Sequence, residues 1–175
     1  ARKHILKAEL YLRATSYLKK GKLSEETINV LKAIKENNCI LATGHISWQE
    51  SEVLVKEASK FGIRKIIVTH PIYQHTNMPI NVQKELSEIE GVYIEHNYAM
   101  YLIDKIPIEN IAEQIKVVGA QRCIISSDMG QINNPNPSEA MELFSEILKR
   151  HGITEEELKM MGEENPRRLL NIRKK

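Results

Sequence analysis

The sequence predicts an α/β fold in which parallel strands alternate with helices. Short β-branched runs recur between amphipathic stretches from Leu23 onward, the form taken by repeated βα units around a parallel sheet. Four of these runs end at a residue that can bind metal or move a proton: Cys39 to His45, Lys65 to His70, Gly91 to His96 and Cys123 to Asp128. In a parallel sheet the carboxyl ends of all strands lie on one side, so side chains far apart in sequence converge there.

Residues 9–18 alternate Leu10, Leu12 and Tyr17 with polar residues and are expected to form a strand, turned by Lys19-Lys20-Gly21-Lys22. Ser24 caps a helix whose Ile28, Leu31 and Ile34 follow helical spacing. Strand 39–43 comes next. Ser47 and Glu50 form a capping box for a helix carrying Val53, Leu54, Ala58 and Phe61, which Gly62 stops before strand 65–69. The stretch from Pro71 to Pro79 holds two prolines, Asn77 and His75 and reads as a long loop,. A short helix at 80–88 leads to strand 91–95. A helix starting near Pro107 aligns Ile108, Ile111, Ile115 and Val118 before Gly119. Strand 122–127 precedes Asn133-Asn134-Pro135-Asn136-Pro137, a second long loop on the same rim. Helix 138–151 ends at Gly152, Thr154 and Glu157 make another capping box, and Asn165-Pro166 introduces a last short helix through Leu170.

With 175 residues the chain is long enough for a single domain with a real core, and short of the roughly 250 residues of a complete eight-unit barrel,. A formal charge of +2, from 25 basic and 23 acidic residues, gives no electrostatic footprint for nucleic acid,. The basic cluster Arg167, Arg168, Arg173, Lys174 and Lys175 reads as a solvated helix end and tail. Cys39 and Cys123 each open an apolar strand run and have no CxxC partner, so both are expected in the core of a reduced, cytoplasmic protein. No apolar run reaches the eighteen or so residues of a membrane span, and no signal-peptide core is visible. The chain opens without methionine and is expected to be a processed, trimmed or excerpted segment of something longer.

Imidazole nitrogen and carboxylate oxygen suit a divalent transition ion, and a catalytic site keeps one position open for water. His45 and His70 occupy the same point in consecutive units, beside Gly44 and Pro71, and are expected metal ligands. Asp128 leaves the top of a buried strand, where a carboxylate needs a cation or donor. Glu95 and His96 are neighbours that face opposite ways. His96, nearer the rim, is the expected proton carrier, and Glu95 a residue that orients a ligand or contacts substrate. His75 and Asn133, on the two long loops, are the other expected substrate contacts. His4 and His151 read as surface residues, and Trp48 as a packing residue.

The segments Ala42-Thr43-Gly44-His45, Val68-Thr69-His70-Pro71, Ser126-Ser127-Asp128 and Glu164-Asn165-Pro166-Arg167-Arg168-Leu169-Leu170 resemble the C-terminal half of the amidohydrolase superfamily of (β/α)8 metal-dependent hydrolases. The likeness runs from about Gly21 to the C-terminus and is greatest to an uncharacterised branch. It implies a partial TIM barrel, about strands four to eight, as one domain over residues 1–175. It implies metal ligation by His45, His70 and Asp128, with Asp128 also accepting a proton from the hydrolytic water. The ion implied is zinc, with manganese or iron as substitutes, and the substrate a small amide, ester, lactone or phosphoester. The His-x-His pair that the superfamily carries on its first strand occurs nowhere in this sequence. The missing strands would come from upstream sequence or from another chain, a homo-oligomer being one such arrangement. The related polymerase and histidinol phosphatase pattern fits less well, because its Asp-x-His is here Asp128-Met129-Gly130.

Two other readings stay open at this point. One is a ligand-binding or assembly module derived from such a barrel, without turnover. The other is a flavodoxin-like open sheet in which His45 and His70 are unrelated core residues.

Overall fold

A computed structural model describes residues 18–19 and 22–172. The expected strand at 9–18 lies outside them except for its last residue. Leu18–Lys19 (β1) instead pairs antiparallel with Lys22–Leu23 (β2), as a short hairpin. Ser24 then caps α1, Glu25–Glu36, accepting from the Thr27 backbone N–H at 3.2 Å.

The remaining strands are Leu41–Ala42 (β3), Ile66–Val68 (β4), Val92–Asn97 (β5) and Cys123–Ser126 (β6). They form one parallel sheet in the order β3-β4-β5-β6, which is also their order along the chain. Between and after them run α2 (Trp48–Lys60), α3 (Ile80–Ser87), α4 (Tyr98–Leu102), α5 (Ile108–Val118) and α6 (Pro137–Arg150). The expected capping box of α2 is present, with Ser47 accepting from the Glu50 N–H and Glu50 accepting in return. Trp48 packs against the core, as expected.

Strand order and helix placement describe the architecture. A doubly wound sheet reverses its order at a switch point and so receives helices on both faces. The described sheet has no reversal, and its crossovers place the helices together. Alternate strand residues Ile66, Val68, Val92, Ile94, Cys123 and Ile125 join Leu54, Leu86, Ile111, Phe144 and Leu148 from the helices in one buried cluster. Each such side chain, removed from water, stabilises by roughly 1.5–3 kcal/mol. The opposite face carries a small second cluster of Tyr93, Ile124 and Leu169, with Ile40 and Ile67 packed against it. Ala42, on that face at the β3 edge, is exposed. The result is an open α/β sheet, packed with helices on one side and thinly covered on the other.

Three features depart from the sequence expectation. Strand β5 runs two residues past its expected end, and Asn97 then caps α4 by accepting from the Met100 N–H at 3.0 Å. That short helix was not expected. The C-terminal helices are continuous, Glu155–Lys159 (α7) passing through a wide π turn at Met160–Glu164 into Asn165–Leu170 (α8). Pro166 has no N–H to place in the normal ladder, and the wide turn falls just ahead of it. Lastly, Cys39 is exposed, because β3 begins only at Leu41 and the residues before it form the turn from α1. Only Cys123 takes the expected core position, where burial pushes its thiol up to about 12.

Candidate functional site

Strand register brings the two strand-end histidines together. Leu41 pairs with Ile66 and Ala42 with Ile67, and the same register carried to the strand ends sets His45 opposite His70. Threonine hydroxyls hold that alignment past the last ladder pair. Thr69 Oγ1 donates to the Gly44 carbonyl at 3.0 Å, Thr43 Oγ1 accepts from the Thr69 N–H at 3.1 Å, and the two hydroxyl oxygens lie 3.3 Å apart. The imidazole centroids of His45 and His70 are consequently 4.3 Å apart, with their planes tilted by 42°.

The backbone at this rim is unusual. His70 has φ +29° and Asp128 φ +51°, and Gly44, next to His45, has φ +65°. Side chains rarely adopt such angles, at a cost of order 1–3 kcal/mol each, and residues held there concentrate at functional sites. In both non-glycine cases the turn occurs just past the strand end.

Tyr73 completes an aromatic group with the histidines. Its ring centroid lies 5.4 Å from His45, 5.3 Å from His70 and 5.3 Å from His75, in edge-on arrangements. The loop that carries it folds on its own backbone, with the Met78 N–H donating to Pro71 O at 2.7 Å and the Tyr73 N–H to His70 O at 3.0 Å. Nothing in the sequence marked Tyr73 beyond its place in that proline-bounded loop.

Charges of both signs act across the rim. His70 is buried, and burial and then the neighbouring His45 hold its imidazole below the ordinary range, opposed by Asp128 and Asp104. Its Nδ1 is buried without a hydrogen-bond partner among the described residues. Asp104, in the turn after α4, is raised by burial and by Asp128 while the two histidines draw it down. Asp104 was missed because its turn follows a helix that was itself unexpected.

Around Asp128 the structure reverses one expectation. Glu95 is raised by burial, offset by a hydrogen bond with Ser126, and raised further by Asp128. Asn97 Nδ2 donates to Asp128 Oδ2 at 3.4 Å. Glu95 and Asn97 thus share the strand face next to Asp128, and alternation turns His96 the other way, into the packed layer. His96 is fully buried, neither ring nitrogen has a partner among the described residues, and burial drives it down to about 3. It was chosen over Glu95 for lying further along the strand, but β5 has not ended at residue 96, so the pleat decides.

His75 is exposed and joins the group through Tyr73 alone. Asn133 is exposed on the loop after β6, with no described hydrogen bond to the other candidates. His151 is tied to Glu109 Oε1 at 3.2 Å and to Ile147 O at 2.9 Å, far along the chain from the rim elements. His4 lies outside the described residues.

The donor types fit a divalent ion: two adjacent imidazoles, one with an unpartnered buried nitrogen, and carboxylates close enough to act on them electrostatically. Among the described residues, however, no three His, Cys, Asp or Glu side chains are grouped closely enough to hold one. No described helix is long and apolar enough to cross a membrane.

Comparison with known proteins adds one finding. No curated protein and no solved structure matches the chain. A family model matches residues 2–95, more than half of the 175 residues. The match takes in His45, His70, Tyr73, His75 and Glu95, and stops short of Asp104 and Asp128. The chain belongs to the DUF6282 family, a family of unknown function.

Proposed function

We propose that the rim around His45, His70 and Asp128 is a metal-assisted hydrolytic site acting on a small amide, ester, lactone or phosphoester. The observation that carries this is the pairing of two imidazoles at the ends of adjacent parallel strands, one of them with a buried, unpartnered nitrogen. His45, His70 and Asp128 would hold the ion, zinc by donor preference, with manganese or iron also suited. A bound divalent ion would supply Lewis acidity and hydroxide near neutral pH.

The residues themselves have separable tasks. Burial keeps His70 neutral at physiological pH, which leaves a nitrogen lone pair available,. Asp128 is the general base, steadied by the Asn97 amide. Glu95, whose raised pKa favours the protonated form, can donate to a leaving group or substrate oxygen,. Tyr73 and His75 stand beside the histidine pair, where they can contact substrate.

The sheet itself fits a segment of a (β/α)8 barrel of the amidohydrolase type, since strands in chain order with helices on one face are the arrangement of such a barrel. On that reading the thinly covered face would line the barrel interior. Further strands, from preceding sequence or another chain, would close it.

A second reading is favoured by one observation, the absence among the described residues of three assembled ligands. It makes the protein a ligand-binding or assembly module without turnover. One experiment separates the two. Purified protein is assayed for zinc, manganese and iron, then for hydrolysis of a panel of amides, lactones and phosphoesters, beside a His45→Ala, His70→Ala double variant. Near-stoichiometric metal and a metal-dependent activity, both lost in the variant, support the hydrolase. Protein that binds no added ion and hydrolyses nothing on the panel overturns it.

A further inference from the structure

The rim at the amino ends of β3 and β4, across the sheet from the histidines, holds a cavity of about 320 Å³. That lies within the range of small-molecule pockets, roughly 300–1,000 Å³. Four of its lining side chains are cations, Lys35, Arg64, Lys65 and Arg168, and none is a carboxylate. They come from three places in the chain: the last turn of α1, the connection from α2 to β4, and α8.

Part of this clustering has an internal cause. Helices α1 and α2 both end here, and cations are favoured at helix C-termini. Arg64 Nη1 donates to Ser59 O at 2.8 Å, and Lys65 Nζ to Asn38 O at 3.5 Å. Lys65 also faces the Asn171 amide, whose oxygen lies 3.1 Å from Nζ when that amide is turned to satisfy both of its groups. Two carboxylates flank the cavity from outside its lining, Glu90 at 3.4 Å from Arg64 Nε and Glu164 at 3.5 Å from Arg168 Nη2.

Among the described residues, these partners leave a surplus of positive charge. Four cations face two flanking carboxylates, and Glu90 is 86% exposed, where an ion pair contributes little,. Lys35 has no ion pair or side-chain hydrogen bond among the described residues. It extends over the end of α2, its Nζ only 3.7 Å from where a side chain on Gly62 would begin. Capping of helix ends accounts for Arg64 and Lys65. Lys35 and Arg168 also stand in the last turns of their helices, α1 and α8, but helix ends do not account for three parts of the chain bringing their cations to one cavity kept open between them.

We propose that this cavity binds a phosphate group, free or carried on a small organic molecule. Two planar guanidinium forks and two ammonium groups match the several acceptor oxygens of a dianion, with Arg suited to paired contacts and Lys to a point charge. The site is independent of the histidine rim and does not depend on the function assigned there.

Cys39 gives the test its readout. Its thiol lines the same cavity and is exposed, whereas Cys123 is fully buried. Alkylation of Cys39 by neutral iodoacetamide is followed by mass spectrometry in the full chain, at constant pH and ionic strength. Inorganic phosphate and a hexose phosphate are titrated in separate arms. Saturable slowing of Cys39 alkylation is expected, with its half-effect moved at least tenfold higher in a Lys35→Ala, Arg168→Ala variant. Equal potency of the two probes assigns the site to the free anion, and greater potency of the hexose phosphate assigns it to an ester. Lys35→Glu, a single change at an exposed position, repeats the test should the double variant fold poorly. Alkylation insensitive to both probes, or protection that survives these substitutions unchanged, overturns the proposal.

Discussion

Replacing Asn165 with alanine should cost more than any surface change in the C-terminal helices. Asn165 is fully buried, and its Nδ2 donates to Ala120 O at 2.8 Å and to Cys123 O at 2.7 Å, tying α8 to the start of β6. Each such bond contributes about 1 kcal/mol net, and burying an acceptor that has lost its donor costs about 1–3 kcal/mol. The Ala120 carbonyl keeps a second donor in the Cys123 N–H, so it does not carry the whole penalty. The sum, with lost packing included, is about 2–4 kcal/mol. For a chain of this size that corresponds to a fall in Tm of roughly 5–12 °C. Asn165→Asp should lose at least as much, because it sets carboxylate oxygens against two carbonyl oxygens. Thermal unfolding followed by circular dichroism measures both. A Tm for Asn165→Ala within about 2 °C of the parent would refute the idea that this amide anchors the last helix.

Acid should destabilise the protein through His96, which burial holds at about 3 against an ordinary 6.5. The unfolded chain takes up the proton first, so stability is intact above the ordinary value. It then falls by at most about 1.4 kcal/mol per pH unit on the way down toward the folded value. Urea midpoints at several pH values should decline less steeply in His96→Leu, and an identical decline would remove His96 as the cause. Thr69→Val deletes the bond to Gly44 O and the contact with Thr43 Oγ1. It should cost about 1–2 kcal/mol in urea unfolding and shift the ring NMR signals of His45 and His70. Unchanged ring signals would show that the ladder alone fixes the rings. Gly91→Ala drives a Cβ into the Arg64 carbonyl at φ +80°, and should lose at least about 2 kcal/mol. A urea midpoint equal to the parent's would contradict that placement.

The alternation of elements was legible because each boundary carries its own chemistry. Ser24, the Ser47–Glu50 pair and the Thr154–Glu157 pair all cap the helices that they announce. The juxtaposition of His45 and His70 was legible too, because equal strand positions in neighbouring parallel strands have to meet. What escaped was local to strand ends. Whether Glu95 or His96 faces the rim depends on where β5 stops, and Asn97, the residue that stops it, also starts α4. Asp104 went unseen with that helix. Cys39 was placed in the core because its apolar run looks continuous, yet pairing begins two residues later. Tyr73 had no periodic signal, since a loop that folds on its own carbonyls obeys neither helix nor strand spacing.

The threonine contacts at the tops of β3 and β4 separate distance in space from distance along the chain. What sets one imidazole against the other is the ladder and two hydroxyls. The hydrogen bonds and strand pairs described at this alignment involve none of residues 46 to 64, the helix and turns between them. Insertions or deletions in that stretch would leave the two rings facing each other. Kinship within the family is therefore better sought in a small hydroxyl residue two places before one histidine and directly before the other than in a fixed interval between them.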